Sequence, residues 1–352
     1  MKRALHLARR GMGAVSPNPM VGAVIERAGR IIAEGWHRKF GADHAEIDAL
    51  KRASGSVRGA TIYVTLEPCC HWGKTPPCVD TLIEQGIKRV VMATLDPNPL
   101  VDGKGAQILR DHGIEVTVGV LEQAARLLNE VYFHYIRTGL PFITIKYAQS
   151  LDGRIATLQG NSRWISSERA RKFTHRLRAQ HDAIMVGRGT VLADDPLLTV
   201  RWVKGKNPLR ICLDSKLRIP LSAQVLRDDG KTLIVTTNEH GKDKIEKIRK
   251  LGKEVLVNQS GADGRVKLRS LMKALAERGI ASILVEGGAE VITSLLKEGL
   301  VNRMVVIIAP LILGKGTEAI GDLGITDLER AIRPSSYKAT RIGADVIFDL
   351  RL

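Results

Sequence analysis

The chain of 352 residues is long enough for two or three domains with a sizeable core. Its 44% hydrophobic and 26% charged residues are ordinary globular values, which excludes a stapled mini-protein and wholesale disorder, and its longest apolar run, Met304 to Leu313, is too short to span a bilayer and contains Pro310. The formal charge of +17, from 54 Lys and Arg against 37 Asp and Glu, calls for an anionic partner. That excess is concentrated: residues 1–141 hold 18 basic and 14 acidic side chains, whereas residues 142–352 hold 36 and 23. Aromatic residues make up only 4%, thin for a protein that stacks bases along a single strand. The start, Met1-Lys2-Arg3 with Arg9 and Arg10 close behind, has no apolar stretch of a secretory signal, so a cytoplasmic location is expected. Three of the four cysteines, Cys69, Cys70 and Cys78, are crowded together; in a cytosolic chain that pattern reads as a metal or catalytic site rather than a disulfide framework.

In chain order, Ala4, Leu5, Leu7 and Ala8 predict a helix closed by Gly11. Strands are expected over Met20 to Glu26 and Ile31 to Gly35, joined by a turn at Ala28-Gly29. A helix from about His44 to Ala53, a strand over Thr61 to Leu66, a helix after Pro77 and a strand over Val90 to Thr94 follow. Next come a helix near Gly105 to His112, a strand over Glu115 to Val118 and one helix from Leu121 to about Tyr135. This alternation predicts a mainly parallel sheet with helices on both faces. The run Arg137-Thr138-Gly139-Leu140-Pro141 ends a helix pattern, so the domain boundary is placed there, giving domains 1–141 and 142–352.

The second part also alternates. Strands are expected at Phe142 to Ala148, Ala183 to Val186, Leu209 to Asp214, Thr232 to Thr236, Glu254 to Val257 and Ile283 to Glu286. Leu268, Leu271, Met272 and Leu275 recur at helical spacing. Two final β-branched runs, Arg303 to Leu313 and Asp345 to Leu350, no longer alternate with helices and predict an antiparallel edge on an otherwise parallel sheet. Cys212, inside the apolar run Leu209 to Leu213, reads as core.

His44-Ala45-Glu46 opens one helix pattern, and Pro68-Cys69-Cys70-His71 through Pro77-Cys78 leads into another. Either half alone carries little. Together, at two helix starts that a parallel sheet brings close, they match the His/Cys/Cys pattern of zinc-dependent deaminases. Imidazole and thiolate suit zinc, three protein ligands leave an open fourth position, and a glutamate two residues past the histidine is placed to move protons. The competing reading is a closed structural site with Cys70 or His71 as fourth ligand, which gives no reason for an acid at Glu46. The spacing departs from C-x-x-C: Trp72 stands three beyond Cys69, and the next cysteine is Cys78.

With Asn18-Pro19-x-Val21-Gly22 upstream and Asp96-Pro97-Asn98-Pro99 downstream, the segment Thr65 to Cys78 resembles the pyrimidine deaminase family of riboflavin biosynthesis, whose longer cysteine loop separates it from cytidine, cytosine and transfer-RNA adenosine deaminases. The resemblance implies a cytidine-deaminase-like three-layer α/β/α domain, His44, Cys69 and Cys78 as ligands of one Zn2+ per chain, Glu46 as proton shuttle, and Asn18, His71 and Lys74 as substrate contacts, with Cys70 a bystander. Lys74 beside an open site suits a phosphate or ribose; the alternative is a solvated loop lysine.

No G-x-G-x-x-G follows the first strand of the second part, so a dinucleotide-binding fingerprint is absent. Gly187-Arg188-Gly189-Thr190 and Val285-Glu286-Gly287-Gly288 instead form two strand-glycine-helix junctions, each a place for a phosphate or a plain connection. Lys146-x-Ala148-x-Ser150-Leu151-Asp152-Gly153-Arg154, Ser162-Arg163-Trp164-Ile165, Asp194-Asp195-Pro196 and Glu286-Gly287-Gly288 resemble the reductase domain fused to that deaminase. That resemblance, covering nearly the whole chain, implies a dihydrofolate-reductase-like α/β domain that uses NADPH to reduce a ribosylamino substrate to its ribitylamino form. It also implies a cofactor site of Ala148, Trp164, Thr190, Asp194, Ser215, Gly288, Ala289, Glu290, Val291, Ile292, Thr293 and Ser294, and a substrate site of Ser162, Arg178, Leu198, Arg201 and Glu286. Arg178 and Arg201 suit phosphate forks, or surface ion pairs. Lys146 and either Asp194 or Asp195 are the candidate proton donors for hydride transfer; the alternative is a snorkelling strand lysine and turn-capping aspartates.

The expected protein is thus a bifunctional enzyme that deaminates a diaminopyrimidine ribosylamino phosphate and then reduces the ribose. Its expected partners are phosphorylated small molecules, with no nucleic acid and no membrane, and it is expected to form a homo-oligomer. Two rivals are a nucleic-acid deaminase with a basic binding domain, against which the charge split argues, and a zinc-stabilised nucleic-acid-binding protein whose binding would fall steeply with salt.

Overall fold

The hairpin that opens the first sheet turns on Ala28 and Gly29, both at positive φ (51° and 78°), the conformation a two-residue turn between twisted strands demands. The computed structural model describes residues 1–72, 76–227, 230–237 and 242–352. It divides into two compact units, Met1–Leu140 and Pro141–Leu352.

In the first unit the order is α1 (Lys2–Ala8), β1 (Gly22–Arg27), β2 (Arg30–Trp36), α2 (Ala45–Lys51), β3 (Thr61–Val64), α3 (Cys78–Glu84), β4 (Arg89–Met92), α4 (Lys104–Asp111), β5 (Glu115–Val118), α5 (Glu122–Leu128) and α6 (Glu130–Thr138). The five strands lie in the order β2-β1-β3-β4-β5. The hairpin joins antiparallel to β3, and β3, β4 and β5 are parallel. Alternation along the strands splits the core: Ala23, Ile25, Ile62, Val64, Val90 and Met92 pack with Ala45 and Ala49 of α2, Val79 and Leu82 of α3 and Leu109 of α4. Val24 faces the other way, toward Ala4 and Leu7 of α1, where Leu5 also meets Ala93 and Ala125. The result is the expected three-layer α/β/α arrangement. The single helix expected from Leu121 to Tyr135 is instead two, broken at Asn129 (φ −108°, ψ 26°). The Asn129 amide bonds both backbone groups of Met20, accepting from its N–H at 2.8 Å and donating to its carbonyl at 2.9 Å, and this long-range tie outweighs helix continuity.

The second unit runs β6 (Phe142–Ser150), β7 (Arg154–Thr157), α7 (Glu168–Gln180), β8 (Ala183–Gly187), α8 (Arg188–Asp194), β9 (Leu209–Leu213), β10 (Thr232–Thr236), α9 (Lys242–Lys250), β11 (Glu254–Val257), α10 (Leu268–Glu277), β12 (Ser282–Val285), α11 (Ala289–Lys297), β13 (Arg303–Ala309), β14 (Gly316–Glu318), β15 (Ser336–Ile342) and β16 (Asp345–Arg351). Nine strands form one sheet, β11-β10-β9-β8-β12-β6-β13-β16-β15, while β7 and β14 pair separately. Pairs from β11 to β13 are parallel, and β16 and β15 add the expected antiparallel edge. The run from Arg303 stops as a strand at Ala309, before Pro310, rather than at Leu313. The strand β15 escaped the sequence reading because nearly every residue in it is exposed, so no apolar alternation marks it. Helix α7 packs on Leu284, Val305, Ile307 and Ile347. Cys212 is fully buried with Ile184, Val186 and Ile234, as core.

Candidate active sites

In the first unit, α2 begins directly after His44, whose extended backbone makes it the N-cap, and Glu46 falls in the first turn. Close approach of this helix to β2 depends on Gly35: a Cβ there would meet Ala49 N at 2.3 Å and Ala45 O at 2.4 Å. Cys78 is the first residue of α3. The two helix starts and the loop after β3 bring His44 Nδ1 to 3.3 Å from Cys78 Sγ and 3.4 Å from Cys69 Sγ, and the Cys78 backbone N–H donates to Cys69 Sγ at 3.4 Å. All three ligand atoms lie within 4.8 Å of one another. Hydrogen bonds from Cys78 and His44 pull the Cys69 thiol down to about 4, so it is a thiolate at neutral pH, while the bond to Cys69 pushes Cys78 up. One nitrogen and two sulfurs fit zinc, with the Cys78 thiol proton and the proton of His44, which its bond to Cys69 pushes up to about 9, for a dication to displace.

Neither Cys70 nor His71 joins this cluster among the described residues. Cys70 Sγ points instead to the Leu100 carbonyl, at 3.6 Å. A closed four-ligand structural site therefore has no support. Glu46 is 3% exposed, and burial pushes its carboxyl up to about 7. Asn18 Nδ2 lies 3.1 Å from His37 Nε2, and His37 Nδ1 lies 2.9 Å from the Asp43 carbonyl, which fixes a neutral His37 that accepts from Asn18. The His37 and His44 rings meet edge to face at 5.6 Å, so Asn18 is held beside the metal ligands by a histidine the sequence reading did not single out. His71 Nδ1 is buried with no hydrogen-bond partner among the described residues. Lys74 lies outside the described residues.

The second unit holds a cavity of about 1150 Å³ at the carboxyl ends of the adjacent parallel strands β9, β8, β12 and β6, where open α/β sheets place ligands. That volume exceeds what one drug-sized ligand fills. Lys146, Ala148, Ser162, Trp164, Arg178, Thr190, Asp194, Leu198, Arg201, Ser215, Glu286, Gly288, Ala289, Glu290, Val291, Ile292 and Ser294 all line it. Thr293 does not: its hydroxyl donates to the Ala289 carbonyl at 2.6 Å and accepts from Gly321 N–H at 2.8 Å, which ties the helix to the loop after β14. Gly287 and Gly288 take φ of 104° and 81°, and a Cβ at either would press on Thr190 Oγ1, so the chain can turn from β12 into α11 beside the cavity only without side chains there. The starts of α8 and α11 present backbone N–H groups to the same space, an arrangement that accepts the phosphates of a dinucleotide.

Arg178 lines the cavity and is also bonded within the protein. Its Nε and Nη2 donate to Glu286 Oε1 and Oε2 at 2.6 and 2.9 Å, and Nη1 donates to the Thr199 carbonyl at 3.0 Å. The Nε/Nη2 edge of the guanidinium is committed to Glu286, which leaves only the remaining Nη hydrogens for a substrate. Lys146 Nζ stands 3.9 Å from Glu286 Oε2, and burial pulls its pKa down while Glu286 opposes that. Asp194 Oδ1 accepts from the Ser162 hydroxyl at 3.3 Å, and its carbonyl accepts from the Arg163 guanidinium. Asp195, with φ of 39°, spends its carboxylate on the Gln224 N–H at 2.7 Å and is a turn residue. His175, Trp202 and Arg171 also line the cavity, although no motif drew attention to them. The helical spacing of His175 and Arg178 on α7 was the available signal.

Comparison with known proteins gives two domain matches: residues 1–94 to the cytidine and deoxycytidylate deaminase zinc-binding region, and residues 141–348 to the RibD C-terminal domain. The chain is 49% identical over 349 residues to riboflavin biosynthesis protein RibD of Aquifex aeolicus (strain VF5), covering 99% of this chain and 96% of that one. It is 40% identical over 364 residues to riboflavin biosynthesis protein RibD of Escherichia coli (strain K12), covering 99% and 98%. Its structure is similar to that of a diaminohydroxyphosphoribosylaminopyrimidine deaminase/5-amino-6-(5-phosphoribosylamino)uracil reductase from Thermotoga maritima, with a TM-score of 0.86, 38% identity, and 100% and 97% of the two chains covered. Acinetobacter baumannii RibD, form 1, gives 0.89 at 36% identity over 99% and 97%.

Proposed function

This chain belongs to the RibD family of riboflavin biosynthesis, whose members join a deaminase to a reductase, and on that premise we propose how its residues divide a two-step conversion. Residues 1–141 are the deaminase, removing an amine hydrolytically from the diaminopyrimidine ring of a ribosylamino phosphate. Residues 142–352 are the reductase, converting the ribosyl group of the deaminated product to ribityl. The observation that carries the reading is a single juxtaposition: the three-atom His44, Cys69, Cys78 cluster directly beside a buried Glu46.

His44, Cys69 and Cys78 would hold one zinc ion per chain, which would supply the Lewis acidity that makes water a nucleophile near neutral pH. Glu46, with its carboxyl at about 7, takes a proton at a carboxylate oxygen and returns it to the leaving amine. Asn18, oriented by His37, contributes hydrogen bonds to the pyrimidine, and His71 and Lys74 contact the substrate. In the reductase, NADPH supplies the hydride. Gly288 and the start of α11, with Thr190, Ser215, Ala148 and Trp164, hold the cofactor, and Ser162, Leu198 and Arg201 hold the sugar phosphate. Lys146 is the proton donor, because its Nζ carries protons into a buried position and Glu286, anchored by Arg178, sets where that ammonium points. Asp194 orients Ser162.

The test is NADPH oxidation by full-length, zinc-loaded protein given the un-deaminated diaminopyrimidine ribosylamino phosphate. Oxidation is expected, is abolished by chelating the zinc, and returns with pre-deaminated substrate. If neither substrate supports oxidation, the reductase assignment is wrong, and ammonia release then judges the deaminase alone.

A further inference from the structure

We propose that His175 is a positioning residue of the reductase cavity, fixing the backbone of residues 197–202 so that Leu198 and Arg201 face the phosphorylated substrate. The inference rests on the reductase function proposed above. Leu198 has φ of 55°, a conformation that a residue with a branched side chain holds only where its surroundings over-determine it. Four side chains do so. Arg210 Nη1 donates to the Leu197 carbonyl at 3.3 Å, Arg178 Nη1 to the Thr199 carbonyl at 3.0 Å, Asn207 Oδ1 accepts from the Val200 N–H at 2.7 Å, and His175 Nδ1 accepts from the Arg201 N–H at 3.1 Å.

His175 is the tie nearest the residue it would present. It is 4% exposed, and its ring stacks on Trp202 with centroids 5.2 Å apart and planes 25° apart. Arg171 in turn lies over Trp202 and Trp164, at 5.4 and 4.4 Å, so one stacked column runs from α7 along the cavity wall. Accepting at Nδ1 requires the neutral ring with its proton on Nε2. Burial, with Arg178, Arg201 and Lys146 nearby and only Glu286 opposing them, holds His175 down to about 4, so the acceptor persists throughout the neutral range.

The experiment measures reductase KM and kcat on full-length protein with pre-deaminated substrate. H175F keeps a flat ring against Trp202 and removes the acceptor; H175N places an amide oxygen close to where Nδ1 was. H175F is expected to raise the KM of the phosphorylated substrate about tenfold or more, leaving the KM of NADPH unchanged, and H175N to restore it to within a few-fold. N207A removes the neighbouring tie without touching the ring and is expected to raise the same KM, which keeps the test decisive where H175F fails to fold. Wild-type KM in folded H175F, equal impairment in H175F and H175N, or, where H175F does not fold, wild-type KM in N207A overturns the proposal. Wild-type protein that oxidises no NADPH refutes the functional reading instead.

Discussion

At the scale of single residues, Glu46 is set apart by burial, whose effect outweighs the nearby charge of His44: it sits at 3% exposure in the first turn of α2, two residues past His44. A carboxyl that titrates near neutrality can both take and give a proton, which is what replacing an amine by an oxo group requires. E46Q keeps the shape and removes that capacity. Ammonia release is expected to fall about 10²- to 10⁴-fold, with bound zinc and reductase turnover on pre-deaminated substrate unchanged. Loss of zinc in E46Q would instead show that Glu46 supports the ligands and does not shuttle protons. Glu286 plays a contrasting part: with Arg178 bidentate and Lys146 beside it, its carboxyl is held below the usual range against the cost of burial, so it is a fixed charge and not a proton carrier.

At the scale of elements, both sites are assembled from the ends of regular structure. His44 and Cys78 stand at the starts of α2 and α3, and the reductase cavity collects the residues that follow β8, β9 and β12. Such sites depend on how closely the elements pack. Gly35 decides this for α2, since a methyl group there would strike the helix backbone itself. G35A is expected to destabilise the first unit by about 1–3 kcal/mol and to lower deaminase activity by displacing His44 and Glu46, while reductase activity persists. Thermal unfolding together with ammonia release checks this; a variant with full deaminase activity and an unchanged melting temperature would show that α2 can shift without moving the site.

At the scale of the whole molecule, the +17 charge is spread unevenly, and part of the excess in the second half surrounds its cavity. Burial keeps two histidines of this half uncharged, and neighbouring cations add to it. His175 and His181 are each held to about 4, first by burial, then by Arg178, Arg201 and Lys146 for the former and Arg303 for the latter. His181 is satisfied as a neutral ring, its Nδ1 bonded to the Leu177 carbonyl at 2.7 Å and its Nε2 3.0 Å from Thr144 Oγ1. Because the folded pKa lies below the unfolded value of 6.5, the unfolded chain binds more protons between those values. The stability due to these groups is therefore fully present above about pH 6.5 and is lost as pH falls toward 4. The urea midpoint of the full-length protein is expected to drop between pH 6.5 and 4.5, and to drop less in H181Q; an identical slope in the variant would remove His181 from the account.

Much of the chemistry was legible before any fold was known, because it rests on residue type and short spacing. The His44-x-Glu46 pair, the long loop from Cys69 to Cys78, the paired glycines at Gly287-Gly288 and the βα alternation are local, and local patterns survive in a linear text. The parallel sheet followed from that alternation, as did its antiparallel edge from two terminal runs without helices. What the linear text could not hold was decided by contacts across long separations. Asn129 breaks a helix for the sake of Met20, 109 positions away. Arg178 turns the Nε/Nη2 edge of its guanidinium to Glu286, 108 positions on. His37 and His175 gain their roles only from what packs against them, and an exposed strand such as β15 is recruited by its neighbour β16 with no apolar pattern of its own. Sequence determines which groups are available and where elements begin; only the packed structure determines which hydrogen bond each group spends itself on, since burial makes every unpaired donor or acceptor costly and the nearest partner in space is seldom the nearest in the chain.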